Sequence, residues 1–360
     1  MNNYIEYNDK IAFHPGYYIK EILDDSGLTQ EDFAKRLGTT PKNFSLLIRG
    51  EQSLSIDIAM KLSRMVGTSI AYWLNLQNAY DSLIAEFKSE EELVEERTVF
   101  ECLDYKYFRD NFELPDLPRK KDEQIKRMRE FLGVASLTVF AKRDMAVSFR
   151  SASEEMTDAN IVKANVMVQI AINKALKVVA PKFNKSKFEE AIRYALTLTR
   201  NHAEFYPLIQ KAFLDAGVVL VILPNLPGSK INGATKKLGN SNIMLMVNDR
   251  RLNADSFWFT LYHEIGHIIN GDYGISFETE DGEKEDNADK YAEDMLIPPV
   301  LYEDFISRNK FDVQSICRFA KQIDRAPGIV LGRLQNDKLV RFDDRTLQPL
   351  RVKYRVKTNA

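Results

Sequence analysis

Two histidines, His263 and His267, stand four residues apart and bracket Glu264, Ile265 and Gly266. On a helix, residues at i and i+4 share one face with Cβ atoms about 5–6 Å apart, so both imidazoles can converge on one metal ion. Glu264, next to the first histidine, reaches the same space without ligating. Two imidazoles that hold Zn²⁺ and a carboxylate that accepts a proton from water form the HExxH arrangement of zinc hydrolases. The pattern also arises by chance in unrelated helices. Here it lies among Phe257, Trp258, Leu261, Ile265, Ile268 and Ile269, where a buried imidazole or carboxylate is costly unless partnered.

A catalytic zinc takes a third protein ligand and keeps one position open. Glu285 is the best candidate, with Asp286 and Glu283 as alternatives. Asp289, four residues on, is placed to accept a hydrogen bond from a ligating histidine. Two imidazoles and a carboxylate favour Zn²⁺, with Mn²⁺ as the alternative. His202, Tyr262 and Tyr291 are weaker candidates for stabilising an oxyanion, and His14 reads as structural.

The elements that must hold these residues follow from periodicity. A helix runs from about Ala254 to Asn270 and stops at Gly271; another covers roughly 283–296 and ends at Pro298-Pro299. Upstream, 217–224 and 242–247 read as strands, with Gly233 and Gly239 in the loop between them. Residues 242–247 are the candidate edge strand for receiving substrate by strand addition.

The N-terminal region has a different pattern. Apolar residues at helical spacing alternate with Gly27, Gly38, Gly50 and Gly67, where helix C-caps would place them. Thr29 caps a helix that ends at Gly38, and Thr40-Pro41 starts a second one, Lys42 to Arg49. In a helix-turn-helix the N-terminal end of the second helix enters the major groove. Lys42 and Asn43 are then the base-edge candidates, while Gln30, Thr40 and Arg49 contact phosphate or groove. Reading two half-sites requires a homodimer. Acids such as Asp24, Asp25, Glu31 and Asp32 offset the bases, so a module that pairs with protein is the competing reading.

The segments 257–270, Glu285 to Ala292 and Leu296-Ile297-Pro298 resemble those of the ImmA/IrrE metallo-endopeptidases. Lys187 to Asn201, Gly233-Ala234-Thr235 and Pro327 to Gln335 resemble the family's flanking motifs. Two positions depart: Asn287 stands where relatives carry Glu, and Lys236-Lys237 where they carry an aromatic. The resemblance implies a zincin-like domain that cleaves protein substrates, typically transcriptional repressors. His14 to Leu23, the helices that follow and Trp73 to Gln77 resemble HigA-type antitoxins, an XRE-type helix-turn-helix group.

With 360 residues the chain has room for two or three domains. A formal charge of −2 points to no global affinity for nucleic acid, membrane or acidic substrate. Cys102 and Cys317, far apart, read as reduced thiols. No signal peptide is visible, and the longest apolar run, 218–223, is too short to span a bilayer. The expectation is a cytoplasmic, mainly α protein with a small β-sheet (α+β). Residues 1–85 form an all-α helix-turn-helix domain, 86–184 a helical connecting region with a linker near 114–122, 185–340 the metallopeptidase domain and 341–360 a C-terminal tail.

The functional expectation is a DNA-binding regulator fused to a zinc endopeptidase that cleaves a separate protein, a repressor or antitoxin-type regulator. The linker is the candidate for self-cleavage, but Pro115 and Pro118 oppose the extended pairing that cleavage needs. The alternative is a non-catalytic antitoxin or regulator that binds operator DNA and a toxin partner.

Overall fold

A computed structural model describes residues 3–142, 157–277 and 282–356. The chain divides into two units, Met1–Glu95 and Glu96–Ala360.

The first unit opens with an antiparallel hairpin, β1 (Tyr4–Tyr7) and β2 (Lys10–Phe13). Its turn is Asn8-Asp9, with Asn8 at φ 51, a conformation that Asn tolerates better than most residues. The expected all-α domain therefore carries a small sheet. Four helices follow: α1 (Pro15–Ser26), α2 (Gln30–Leu37), α3 (Pro41–Ile48) and α4 (Ile56–Val66). Each starts on a side-chain cap: His14 Nδ1 accepts from Gly16 N, Thr29 from Asp32 N, Thr40 from Asn43 N and Ser55 from Ile58 N. Such caps are each worth about 1 kcal/mol. Ile19, Phe33, Phe44, Leu62 and Trp73 make the core, and Phe33 stacks on Phe44 at 5.0 Å between ring centres.

Helix α5 (Ile70–Glu101) is continuous for 32 residues. The division at Glu95/Glu96 falls inside it rather than at residue 85.

In the second unit α6 (Tyr105–Phe112) and α7 (Lys121–Leu132) come first. The connection between them is no free linker. Leu114 is buried, Tyr105 donates to Pro115 O at 2.9 Å, and Arg97 grips Asp122 through bonds of 2.9 and 2.8 Å. Helices α8 (Asp158–Leu176), α9 (Lys185–Thr197) and α10 (Phe205–Asp215) lead into β3 (Val218–Leu223), β4 (Ile231–Lys237) and β5 (Ile243–Asn248). Then come α11 (Ala254–Asn270), β6 (Gly274–Phe277), α12 (Glu283–Leu296), α13 (Pro299–Ser307), α14 (Val313–Gln322) and α15 (Pro327–Asn336). Residues 143–156 of the expected connecting region, and the last four of the expected tail, lie outside the described residues.

The sheet order is β3-β5-β4-β6, with β3 parallel to β5 and the other pairs antiparallel. Residues 242–247 are thus in a central strand, and β3 and β6 hold the edges. The segment with Gly233, expected as a loop, is itself a strand. Helices α8 and α10 both pack on β3, so its run Val-Val-Leu-Val-Ile-Leu is covered on both faces, as a parallel strand requires. Because α8 packs on the sheet, residues 158–176 belong to this unit and are not a connector. The core gathers Phe188, Ile209, Phe213, Leu245, Trp258 and Leu261.

The segment after α15 is no detached tail either. Val352 O accepts from Ala254 N at 2.8 Å, Val356 N donates to Asp249 Oδ2 at 2.9 Å, and Tyr354 stacks on Phe205 at 4.8 Å. Among the described residues no helix is long and apolar enough to cross a membrane, and Cys102 and Cys317 are unpaired.

Candidate metal centre

Helix α11 buries Trp258, Leu261, Tyr262 and Ile265 in the core. It ends at Gly271, whose φ of 73 lets its N–H reach back to the carbonyls of His267 and Ile268. Helix α12 lies along it. A Cβ on Gly266 would come within 3.2 Å of Ala288 Cα and 3.3 Å of Tyr291 Cβ. Gly266 and the small Ala288 let the two backbones approach, and Glu285, one turn before Ala288, comes under the histidines.

The ligand atoms then converge. His263 Nε2 and His267 Nε2 are 3.1 Å apart. Glu285 Oε2 is 3.0 Å from the first, and Glu285 Oε1 is 3.3 Å from the second. A tetrahedral zinc with bonds of about 2.0–2.1 Å has edges of about 3.3–3.4 Å, so these separations fit that ion. Among the described residues this trio is the group of three or more metal-binding side chains close enough to share an ion. Glu283 and Asp286, the alternatives for the third ligand, are exposed and outside it.

The electrostatics favour positive charge at this point. Burial opposes a charge on His263, yet hydrogen bonds to Asp289 and Glu285, with the charge of Glu264 nearby, push its pKa up to about 10. Burial likewise raises Glu285, but hydrogen bonds from His263 and His267 outweigh it and bring the carboxyl down to about 2. The acids around the imidazoles thus favour positive charge on the His263 ring, the polarity that a bound cation also supplies. The acid also sits in the first turn of α12, where the helix dipole favours it.

Each histidine has a carboxylate behind it. Asp289 Oδ1 is 2.7 Å from His263 Nδ1, and Asp272 Oδ2 is 3.4 Å from His267 Nδ1. The Asp289 hydrogen bond turns the His263 Nε2 lone pair toward the shared point, while Asp272 lies at an ion-pair distance from His267 without a hydrogen bond to its Nδ1. Asp272 was not singled out from sequence. Its signal was the residue after the Gly271 cap, which the turn points back along α11: Asp272 N donates to His267 O at 2.9 Å.

Glu264 is fully buried. Its carboxylate lies against β4 at Gly233, where a Cβ would meet Glu264 Oε1 at 2.5 Å and its Cγ at 2.6 Å. Gly233→Ala must therefore displace the Glu264 side chain. For a hydrolytic zinc centre the expected result is a turnover lowered by about tenfold or more with zinc content unchanged; equal loss of zinc would show that the whole cradle had moved.

The oxyanion candidates are differently employed. Tyr262 is buried and donates to Ile192 O at 2.8 Å, which removes it from the site. Tyr291 packs against Gly266. His202 Nδ1 meets Tyr354 Oη at 2.8 Å, and His14 is the buried cap of α1.

In the first unit Thr40, Lys42 and Asn43 are exposed at the start of α3, and Gln30 is half-buried at the start of α2. Arg49 is exposed and paired with Glu51 at 3.1 Å, a contact weak enough to yield to phosphate.

A Helix-turn-helix family model matches residues 19–73. The HTH-type transcriptional regulator YddM of Escherichia coli K12 is 39% identical over 79 residues, which are 21% of this chain and 84% of that protein. Virulence-associated protein I of Dichelobacter nodosus is 35% identical over 80 residues, 22% of this chain and 74% of the relative. A solved addiction module antidote protein of a HigA family from Coxiella burnetii is 30% identical, covering 24% of this chain and 94% of its own, with a TM-score of 0.22. The N-terminal unit is a DNA-binding helix-turn-helix domain of the transcriptional-regulator and antitoxin-like class. Through it the chain belongs to the Helix-turn-helix family.

Proposed function

We propose that the second unit is a zinc-dependent endopeptidase of the ImmA/IrrE, zincin-like kind, addressed or regulated by the helix-turn-helix domain. One observation carries this reading: His263 Nε2, His267 Nε2 and the Glu285 carboxylate converge within 3.0–3.3 Å, beside a fully buried Glu264 on the same helix. His263, His267 and Glu285 would hold the ion. Zinc, when bound, acidifies water and polarises a carbonyl. Glu264 accepts the proton of the attacking water on its carboxylate and delivers it to the leaving amine nitrogen. Asp289 keeps the His263 imidazole in the ligating tautomer, and Asp272 places negative charge behind His267. Three protein ligands leave a position for water and substrate, whereas a structural zinc usually takes four.

The substrate is a separate protein, a repressor or antitoxin-type regulator. The stretch 86–122 is helical or tied down by the Arg97–Asp122 and Tyr105–Pro115 contacts, which disfavours its entry into the chain's own site. The test is to hold the zinc-loaded protein with the helix-turn-helix regulators encoded beside it and follow both masses with time. Intact regulators after prolonged incubation, with zinc bound, would sink the reading. Release of an N-terminal fragment of the enzyme itself would move it from trans to cis.

On the DNA side, Lys42 and Asn43 read base edges from the N-terminal turn of α3, with Gln30, Thr40 and Arg49 on the backbone, in a homodimer. Lys42→Ala and Asn43→Ala should each weaken operator binding by about 1–3 kcal/mol at fixed salt and leave peptide cleavage unchanged. Affinity titrations on the chain's own promoter check this; wild-type affinity for both variants would assign the contacts elsewhere. A second reading is an antitoxin that binds a toxin partner, since Asp24, Asp25, Glu31 and Asp32 offset the bases of this unit; co-purification with a small neighbouring protein would favour it.

A further inference from the structure

Two cavities adjoin along the N-terminal half of α11. One, of about 530 Å³, is lined by Lys174, Arg250, Arg251, Lys353 and Arg355. Against these cations its wall offers the carboxylate of Asp249. The oxygens of Asp249 are engaged by backbone N–H groups, from Asn225 at 2.8 Å and from Val356 at 2.9 Å. The other cavity, of about 420 Å³, has an apolar floor of Phe259, Leu296, Ile297 and Ile329. Its own charges are matched within the wall, Arg351 with Asp255 at 3.0 Å and Arg333 with Glu293 at 2.6 Å. Arg251, Asn253, Ser256 and Thr260 line both cavities, so the two make one groove with a basic end and an apolar end.

The groove starts beside the metal cradle. Phe259 precedes His263, and Thr260 precedes Glu264, by one helical turn, about 5.4 Å along the axis. Glu293 follows Asp289 by one turn of α12. An extended peptide advances about 3.3 Å per residue. A chain whose bond lies at the cradle therefore reaches Thr260, which lines both cavities, within about two residues and Asn253 within about five. Arg250 and Arg251 already have partners, so the exposed Lys353 and Arg355 are the cations that select acidic groups, and an apolar floor whose ion pairs are already satisfied selects a large apolar side chain. A nucleic-acid strand would use the cations and leave the floor empty.

We propose that this groove binds peptide chain carrying a large apolar residue next to an acidic one, and that these residues flank the cleaved bond. The second clause rests on the peptidase reading; the first does not. The test uses the full-length, zinc-loaded Glu264→Gln protein and short fluorescent peptides with a central Phe beside two Glu. Replacing Phe by Ala, or both Glu by Lys, should each weaken binding by about tenfold or more. The exposed pair Lys353→Glu with Arg355→Glu should produce the same loss for the acidic peptide and favour the lysine version, with zinc content and melting temperature unchanged. Equal binding of acidic and basic peptides, no effect of the charge reversals, or displacement by a single-stranded oligonucleotide as readily as by unlabelled peptide would overturn the proposal. Wild-type protein is then given the same peptides. Selective binding without cleavage sinks the peptidase reading alone. Cleavage indifferent to the apolar and acidic neighbours sinks the groove alone.

Discussion

Glu264→Gln should bind zinc like the wild type and cleave peptide about 10²–10⁴-fold more slowly, the usual contribution of a positioned general base. The replacement is nearly isosteric, so the fit against Gly233 survives, where a Cβ would already stand 2.5 Å from the carboxylate. What disappears is the proton acceptor. The side chain is fully buried, so bulk water cannot easily take over the role. Metal analysis of dialysed protein and a single-turnover cleavage assay read the two halves separately. Wild-type cleavage in this variant would remove Glu264 from the chemistry.

The second large effect concerns Glu285. Zinc held by four ligands gains about 10–16 kcal/mol, so one ligand is worth roughly 2.5–4 kcal/mol. Glu285→Ala, and equally His263→Ala or His267→Ala, should weaken zinc binding by about 10²–10³-fold. The carboxylates behind the histidines have a smaller share: Asp289→Asn should cost about 10–100-fold and Asp272→Asn, which removes only a nearby charge, less. Thermal unfolding reports the same series by linkage. Zinc at a thousand times its Kd adds about 4 kcal/mol of stability to the wild type, and that gain should shrink in the order of the lost affinities. Unchanged zinc-dependent stabilisation in Glu285→Ala would mean that another group supplies the third ligand.

How much of this was readable beforehand varies with the range of the interactions. The pair His263 and His267, the end of α11 at Gly271 and the following acidic helix are local patterns, and local patterns survive in sequence. So are the caps Thr29 and Thr40 that frame α2 and α3. Strand β4 was hidden because its composition, with Gly233 and two lysines, is poor for a strand; its place is fixed by pairing to β5 and β6. The same pairing put residues 243–248 in the sheet interior, which a strand's own sequence does not specify. Continuity of α5 was obscured by its charged middle, which has no apolar stripe to follow. The role of Asp272 depends on a turn geometry, and that of residues 352–356 on contacts far along the chain.

Those last contacts have a consequence in time. Asp249 and Val356, which close the start of α11, are 107 residues apart in the chain. At roughly 5–20 residues per second, synthesis needs about 5–20 s to cover that distance. Once α11 is complete at Asn270, the last 86 residues of that distance (356 − 270) still take about 4–17 s, and through that time the segment that covers the first turn of α11 is absent. The nascent chain thus carries its helix-turn-helix domain complete well before α11 is fully packed. Order of synthesis alone gives the N-terminal half a head start.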